Sequence, residues 1–245
     1  MILTFNEEAN LEDTLNGLTW AKQILIVDSK SSDSTIQIAS NYKNVKVVTR
    51  EFDHFADQCN FGLAQIDTTW VLSIDADYRC SESFATELLK LIPTNFSGFQ
   101  SRFKYAVYGR TLRATLYPPR TVLYRKDVAE YCRDGHAHKV RVSGKIGTLS
   151  TPIVHDDHKP LADWFQSQLR YGRSEADKLQ ATPHKTLDAK DRIRKWIVFA
   201  PLLTLFYCLF VKRLVLDGWP GMFYTAQRVF AELVLAIYLL DRRLR

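Results

Sequence analysis

The sequence predicts an α/β fold in which a mixed, mainly parallel sheet is flanked by helices and followed by apolar C-terminal helices. Three observations predict it. Apolar, β-branched runs alternate with helical stretches through the first 75 residues, the pattern of a doubly wound sheet. Acidic residues close three of those runs. Residues 196–240 are dominated by uncharged apolar stretches with basic ends.

The first strand covers residues 2–5. Asn6-Glu7-Glu8 follows, with Asn6 placed to cap a helix and the acids to favour its positive end. That helix runs to about residue 18, with Gly17 near its stop. Gln23-Ile24-Leu25-Ile26-Val27 is a second strand ending at Asp28, and a small-polar turn leads into a helix over residues 35–41. Residues 45–48 form a third strand and residues 55–64 a third helix. Trp70-Val71-Leu72-Ser73-Ile74 is the fourth strand, closed by Asp75-Ala76-Asp77. So continuous an apolar run reads as a strand buried on both faces.

Ligands of parallel sheets collect beyond the carboxyl ends of the strands. Glu7 follows the first strand, Asp28 the second, and Asp75 and Asp77 the fourth, so all four line one crevice. A single D-x-D is weak, since about one is expected by chance from this composition. An ordered series of acidic strand ends is not. Two hard oxygen donors one residue apart suit Mg²⁺ or Mn²⁺, which share the rest of their shell with water and phosphate. The predicted chemistry is a divalent metal holding a nucleoside diphosphate. The absence of G-x-G-x-x-G and of G-x-x-x-x-G-K-[ST] disfavours a dinucleotide site and a P-loop.

Past residue 95 the alternation breaks. Residues 98–105, 121–124 and 147–149 read as strands, the first two separated by an Arg-rich loop containing Tyr117-Pro118-Pro119. In Ile153-Val154-His155-Asp156-Asp157-His158 the two Asp can cap a helix over residues 161–180. Residues 196–211 carry no charge but are short for a bilayer span of ~20 residues, and Pro201 would kink a helix there. Residues 222–240 are a second apolar helix, started by Pro220 and bearing a polar stripe of Thr225, Arg228 and Glu232. Basic residues at both ends of these helices fit an in-plane or re-entrant membrane anchor. The alternative is a helical pair packed on protein. Residues 1–185 are expected to form the catalytic domain, its halves meeting near residue 95, and residues 186–245 the tail.

Charge follows the same division. Residues 1–95 carry 7 Lys/Arg against 14 Asp/Glu, and residues 96–245 carry 26 against 13. The basic half suits phosphate or anionic lipid, while its dispersed charges disfavour nucleic acid. Cys59, Cys80, Cys132 and Cys208 are too scattered for a zinc or disulfide framework, which makes a reducing compartment the default. Residues 1–5 lack the basic flank of a signal peptide.

Thr4-Phe5-Asn6-Glu7-Glu8, Val27-Asp28-Ser29-x-Ser31-x-Asp33-x-Thr35, Asn60-Phe61-Gly62-Leu63 and Ile74-Asp75-Ala76-Asp77 resemble, in order and spacing, family 2 glycosyltransferases. The nearest in kind are bacterial enzymes of lipopolysaccharide core synthesis, and Leu216-Asp217-Gly218-Trp219-Pro220-Gly221 resembles their C-terminal end. The resemblance implies a GT-A fold (a Rossmann-like, mainly parallel sheet flanked by helices), a nucleotide-sugar donor with UDP-sugar expected, and Mn²⁺ or Mg²⁺. It further implies inverting transfer to a cell-envelope glycan or glycolipid, and the basic-ended apolar tail adds the expectation of a cytoplasmic enzyme peripherally attached to the inner membrane.

By position, the resemblance has Glu7 and Asp28 holding the nucleoside, Asp28 against the base, with help from Asp57. Asp75 and Asp77 would bind ribose and metal, with His155 as a further metal ligand. Lys30 stands where relatives have glycine, Cys59 where they have arginine and Tyr78 where they have an acid. Arg102, Arg110, Arg113 and Arg120 are the candidates to replace the missing guanidinium. Relatives carry His-Glu where this chain has residues 134–139, which leaves Asp134, His136 and His138 as candidate bases, Asp134 favoured for its carboxylate. Because the chain starts inside the first strand, an upstream piece is expected to be missing. Two alternatives stay open: a nucleotidyltransferase, told apart by pyrophosphate release, and a membrane-associated nucleotide-binding protein that has lost its base.

Overall fold

The computed structural model describes residues 1–91, 94–134 and 137–245, the side chains of residues 133–139 and of His184 excepted. Two compact units emerge, Met1–Gly109 with Leu116–Lys159, and Arg110–Thr115 with Pro160–Arg245.

In the first unit the chain runs β1 (Ile2–Thr4), α1 (Leu11–Asn16), β2 (Ile24–Asp28), α2 (Thr35–Ser40), β3 (Val45–Thr49), α3 (Phe55–Ala64), β4 (Trp70–Leu72), β5 (Ile74–Asp75), β6 (Tyr78–Arg79) and α4 (Glu82–Leu91). It continues through β7 (Gly98–Ser101) and β8 (Phe103–Val107); β9 (Arg110–Thr111) belongs to the second unit. Then come β10 (Arg120–Arg125), β11 (Ala129–Asp134), β12 (Ala137–Val142), β13 (Ile146–Thr148) and β14 (Ile153–His155).

The parallel sheet has the order β3-β2-β1-β5. β2 is apolar up to its terminal Asp28 and buried at every residue, as a strand covered on both faces must be. β1 is paired on both sides: Leu3 lies opposite Val27 on β2 and Asp75 on β5, and Thr4 opposite Asp28. That double register sets Asp28 and Asp75 at one sheet edge. Leu11 and Leu15 of α1 are fully buried against Ile2, Ile26 and Ile74, each burial worth roughly 2 kcal/mol.

The predicted fourth strand is two strands. β4 pairs antiparallel with β10 in a second sheet of order β13-β7-β10-β4, and β5 pairs with β1. Ser73 makes the change of sheet, its N–H donating to the Val122 carbonyl (2.7 Å) and its hydroxyl accepting from Tyr131 (2.8 Å). Residues 98–105 divide likewise into β7 and β8. β14 then pairs with β8 in parallel and with β6 antiparallel, His155 opposite Tyr78.

Two expected caps are not caps. Asn6 has a positive φ of 53° and its side-chain oxygen accepts from the Ser32 N–H (2.8 Å), so it fastens the first loop to the second; α1 begins after Asn10. Asp156 and Asp157 spend their oxygens on Arg79, Gly109, Asn10 and Lys159, and the long helix after them starts at Pro160 without a side-chain cap.

The second unit contains α5 (Leu161–Ala181), α6 (Ala189–Arg194), α7 (Phe199–Phe206) and α8 (Gly218–Leu244). Ala176 and Leu179 of α5 share a core with Leu235 of α8, so the unit begins at residue 160 and not near 186. Arg194, half-buried, is paired with Glu175 (3.1 Å), Asp191 (3.3 Å) and Glu232 (2.9 Å). Pro201 does not kink a helix. It sits in the first turn of α7, where a missing N–H costs no hydrogen bond. Leu214–Leu244 is long and apolar enough to cross a membrane, its most apolar 18-residue window having a mean hydropathy of 1.4.

Gly17 caps α1 with an ordinary φ of −73°, and a Cβ there would lie 2.7 Å from the Cys80 carbonyl oxygen. Backbone cannot yield as a side-chain tip can. Gly17→Ala should therefore destabilise the protein by about 1–3 kcal/mol despite its better helix propensity, read as a lower midpoint in urea denaturation; an unchanged midpoint would show that the contact relaxes.

Candidate functional site

The site lies within the first unit, at the carboxyl edge of β1, β2 and β5. Asp28 is buried where β2 ends. It accepts from the Thr4 hydroxyl (2.7 Å), the Ser31 N–H (2.8 Å) and the Ser31 hydroxyl (2.6 Å). Local sequence explains this: the small residues after Asp28 let the turn fold back on the carboxylate as an Asx-type turn. Thr35 closes the next link by accepting from the Glu7 N–H (2.7 Å).

Glu7 is drawn towards β14. Its carboxylate takes Lys159 Nζ at 2.5 Å and Asn10 Nδ2 at 3.1 Å, while Asn10 also donates to Asp157 (2.9 Å). Burial pushes the Glu7 carboxyl up to about 7, against the pull of Lys159. Asp57 occupies the first turn of α3, half-buried.

Asp75 and Asp77 face different partners. Asp75 Oδ2 accepts from Arg120 Nη1 (3.1 Å), the first residue of β10. The same Nη1 donates to the hydroxyls of Tyr78 (3.1 Å) and Tyr117 (2.9 Å), which bond each other at 2.5 Å. Asp77 Oδ2 lies 3.3 Å from His155 Nε2, and the imidazole stacks on Tyr105 with centroids 4.7 Å apart. Burial, then the charges of Asp75 and Asp157, raise the Asp77 carboxyl well above the carboxylate range; burial holds His155 below its usual value. Asp77 Oδ1 and His155 Nδ1 are buried and have no hydrogen-bond partner among the described residues.

Partnerless buried polar atoms are costly, and the carboxylate oxygen suits Mn²⁺ or Mg²⁺ with the rest of the shell from oxygen donors, whereas the imidazole beside it suits these ions less well than oxygen does. Among the described residues no three His, Cys, Asp or Glu side chains are grouped to hold a metal by themselves. The structure thus brings Asp77 to His155 and turns Asp75 to Arg120. Of the arginines singled out in the sequence, Arg120 is at the site, Arg113 is paired with Asp217 (2.8 Å) and Arg102 reaches the Ser150 carbonyl. Of the candidate bases, Asp134 and His138 belong to the β11–β12 hairpin, with side chains outside the described residues, and His136 lies outside them altogether.

Sequence reasoning missed Lys159 as the partner of Glu7, and the two tyrosine hydroxyls. Lys159 closes the acidic run after β14, a signal that was available. The tyrosines gave none, because their role depends on β6 and the Tyr117 loop meeting at Arg120.

Comparison with known proteins bears on the family and the fold. The sequence model described as glycosyl transferase family 2 matches residues 1–142. A lipopolysaccharide core biosynthesis glycosyltransferase, LpsC, of Rhizobium meliloti is 30% identical over 186 residues, covering 72% of this chain and 69% of that protein. An uncharacterized glycosyltransferase of Rickettsia bellii is 33% identical over 88 residues, a match spanning only 30% of that relative's length. Among solved structures, a mannosyltransferase from Pyrobaculum calidifontis in complex with GDP-Man and Mn²⁺ superposes with a TM-score of 0.57 at 13% identity, covering 98% of this chain and 85% of that one. S. aureus TarS in complex with UDP gives 0.50 at 14% identity, with coverage of 100% and 90%. The fold is GT-A, and the chain belongs to glycosyl transferase family 2.

Proposed function

We propose that the protein is a metal-dependent, inverting glycosyltransferase. It takes a sugar from a nucleoside diphosphate sugar, with a UDP-sugar as the expected donor, and passes it to a cell-envelope glycan or glycolipid such as lipopolysaccharide core. The observation that carries this reading is the edge of acidic strand ends, at which the Asp77–His155 pair keeps partnerless donor atoms.

In this reading Asp28 and Glu7 hold the nucleoside, with Asp57 assisting, and Asp75, Asp77 and His155 hold Mn²⁺ or Mg²⁺. The metal supplies positive charge to the departing nucleoside diphosphate. Asp28 is already fixed by three hydrogen bonds, so binding a base costs it little ordering. Acceptor activation falls to Asp134, with His136 and His138 as the other candidates, since inversion needs one base on the acceptor hydroxyl. A glycolipid acceptor suits the second unit. Phe199, Leu202, Phe206 and Phe210 expose more than half of their surface, and Lys195, Lys212 and Arg213 lie at the ends of that stretch. Such a face fits peripheral attachment to the inner leaflet of the cytoplasmic membrane.

Thermal melts with UDP-sugars and Mn²⁺ should show stabilisation that requires both. Asp77→Asn should abolish it and lower metal-dependent donor hydrolysis by about 10²-fold or more; full retention would sink the reading. Asp134→Asn should instead keep the melting shift and cut transfer by about 10²–10⁴-fold, whereas a lost shift would move Asp134 from base to binding residue. Flotation with phosphatidylethanolamine–phosphatidylglycerol vesicles tests attachment: Phe206→Glu should weaken binding about tenfold, and a wild-type chain that stays with the soluble fraction would refute it.

A further inference from the structure

The Asp75–Arg120 pair has a consequence for the order in which ligands enter. A D-x-D edge built to capture a free cation would leave both carboxylates turned to the same space. Here one of them is taken. Arg120 Nη1 binds Asp75 Oδ2 at 3.1 Å, and Asp77 is turned to His155.

The pair is not sealed in the core. The Arg120 side chain is 26% exposed and that of Asp75 38% exposed, so a ligand can reach both. One nitrogen, Nη1, is shared by all three of the guanidinium's acceptors among the described residues, Asp75, Tyr78 and Tyr117, its two N–H groups divided among them. Nε and Nη2 are left to a ligand. The guanidinium also rests over the Tyr117 ring at 5.8 Å. The tyrosines therefore hold Arg120 by one corner while its outer edge keeps the planar fork that matches two phosphate oxygens.

We propose that Arg120 is an exchange residue: it neutralises Asp75 until the donor binds and is then passed to the diphosphate, so that the divalent metal loads together with the nucleotide. The inference rests on the donor reading above and adds the order of loading. The exchange conserves charge pairing. A divalent cation arriving alone must displace a guanidinium and then sit beside it, three positive charges together against the carboxylates of Asp75 and Asp77. With a metal–diphosphate complex, Arg120 would have a phosphate to bind in place of Asp75, and Asp75 would be released to hold the metal. Tyr78 and Tyr117 supply the pivot, since their hydroxyls can keep Nη1 through the exchange. Coupling of this kind is reciprocal: nucleotide tightens metal and metal tightens nucleotide by the same factor.

The test is Mn²⁺ binding to the full chain, followed by the electron paramagnetic resonance signal of free Mn²⁺, alone and with saturating UDP or GDP. Wild type should bind Mn²⁺ weakly alone and at least about tenfold more tightly with a nucleoside diphosphate. Arg120→Gln should bind Mn²⁺ alone more tightly than wild type while losing most of that coupling, two changes of opposite sign that general damage to the site would not produce. Arg120→Lys keeps the charge but not the fork, so it should stay weak for Mn²⁺ alone and show reduced coupling; it also serves if the glutamine variant fails to fold. Wild-type coupling that persists undiminished in both variants would overturn the role of Arg120 and leave the donor reading intact. Wild type that takes up no Mn²⁺ with either nucleotide would overturn the donor reading itself, and the exchange with it.

Discussion

The constraint on which the first unit depends is the pairing of a three-residue strand on both of its edges. β1 is flanked by β2 and β5, both parallel to it. Parallel register cannot slip by one residue without turning every side chain to the opposite face, and Ile2, Ile26 and Ile74 are all committed to one core. The positions of Asp28 and Asp75 are thus by-products of apolar packing. No polar interaction has to find them.

Packing places the carboxylates but does not pay for their desolvation. Each acid at the edge has a different compensation: Asp28 takes neutral donors from Thr4 and Ser31, Glu7 a lysine from beyond β14, Asp75 a guanidinium from β10 and Asp77 an imidazole. Three of these four sets of partners come from elements remote in sequence. The second half of the unit, where strand–helix alternation has ceased, therefore acts chiefly to return counter-charge to the edge made by the first half.

This explains what could be read from the sequence and what could not. Local signals carried the helix over residues 55–64, observed with those bounds, and the acidic closure of the apolar runs, because hydrophobic period and strand ends are written in contiguous residues. The break at Ser73 was illegible, since Trp70 to Ile74 is evenly apolar and only its partners, β10 and β1, distinguish the two halves. Asn6 and Asp156 are not caps for a related reason: a residue suited to a local hydrogen bond is equally suited to a distant one, and Ser32 lies in the loop after β2 and Arg79 on β6. Pro201 interrupts an apolar run that starts at residue 196, but the helix itself starts at Phe199, and nothing local in the run marks that start.

The tail motif shows how a family resemblance can mark structure without marking chemistry. Leu216-Asp217-Gly218-Trp219-Pro220-Gly221 turns the chain into α8. Gly218 has a positive φ of 62°, open to glycine at little cost, and a Cβ on Gly221 would lie 2.0 Å from the Leu214 carbonyl oxygen. Pro220 stands in the first helical turn, where it needs no donor. Asp217 accepts from the N–H and Nε of Arg113 (3.1 and 2.8 Å), which ties Arg110–Thr115 into the second unit although those residues fall between strands of the first. Every residue of the motif with a geometric demand meets it inside the helical unit. Its acid is consumed by an arginine, so the motif explains why α8 begins where it does.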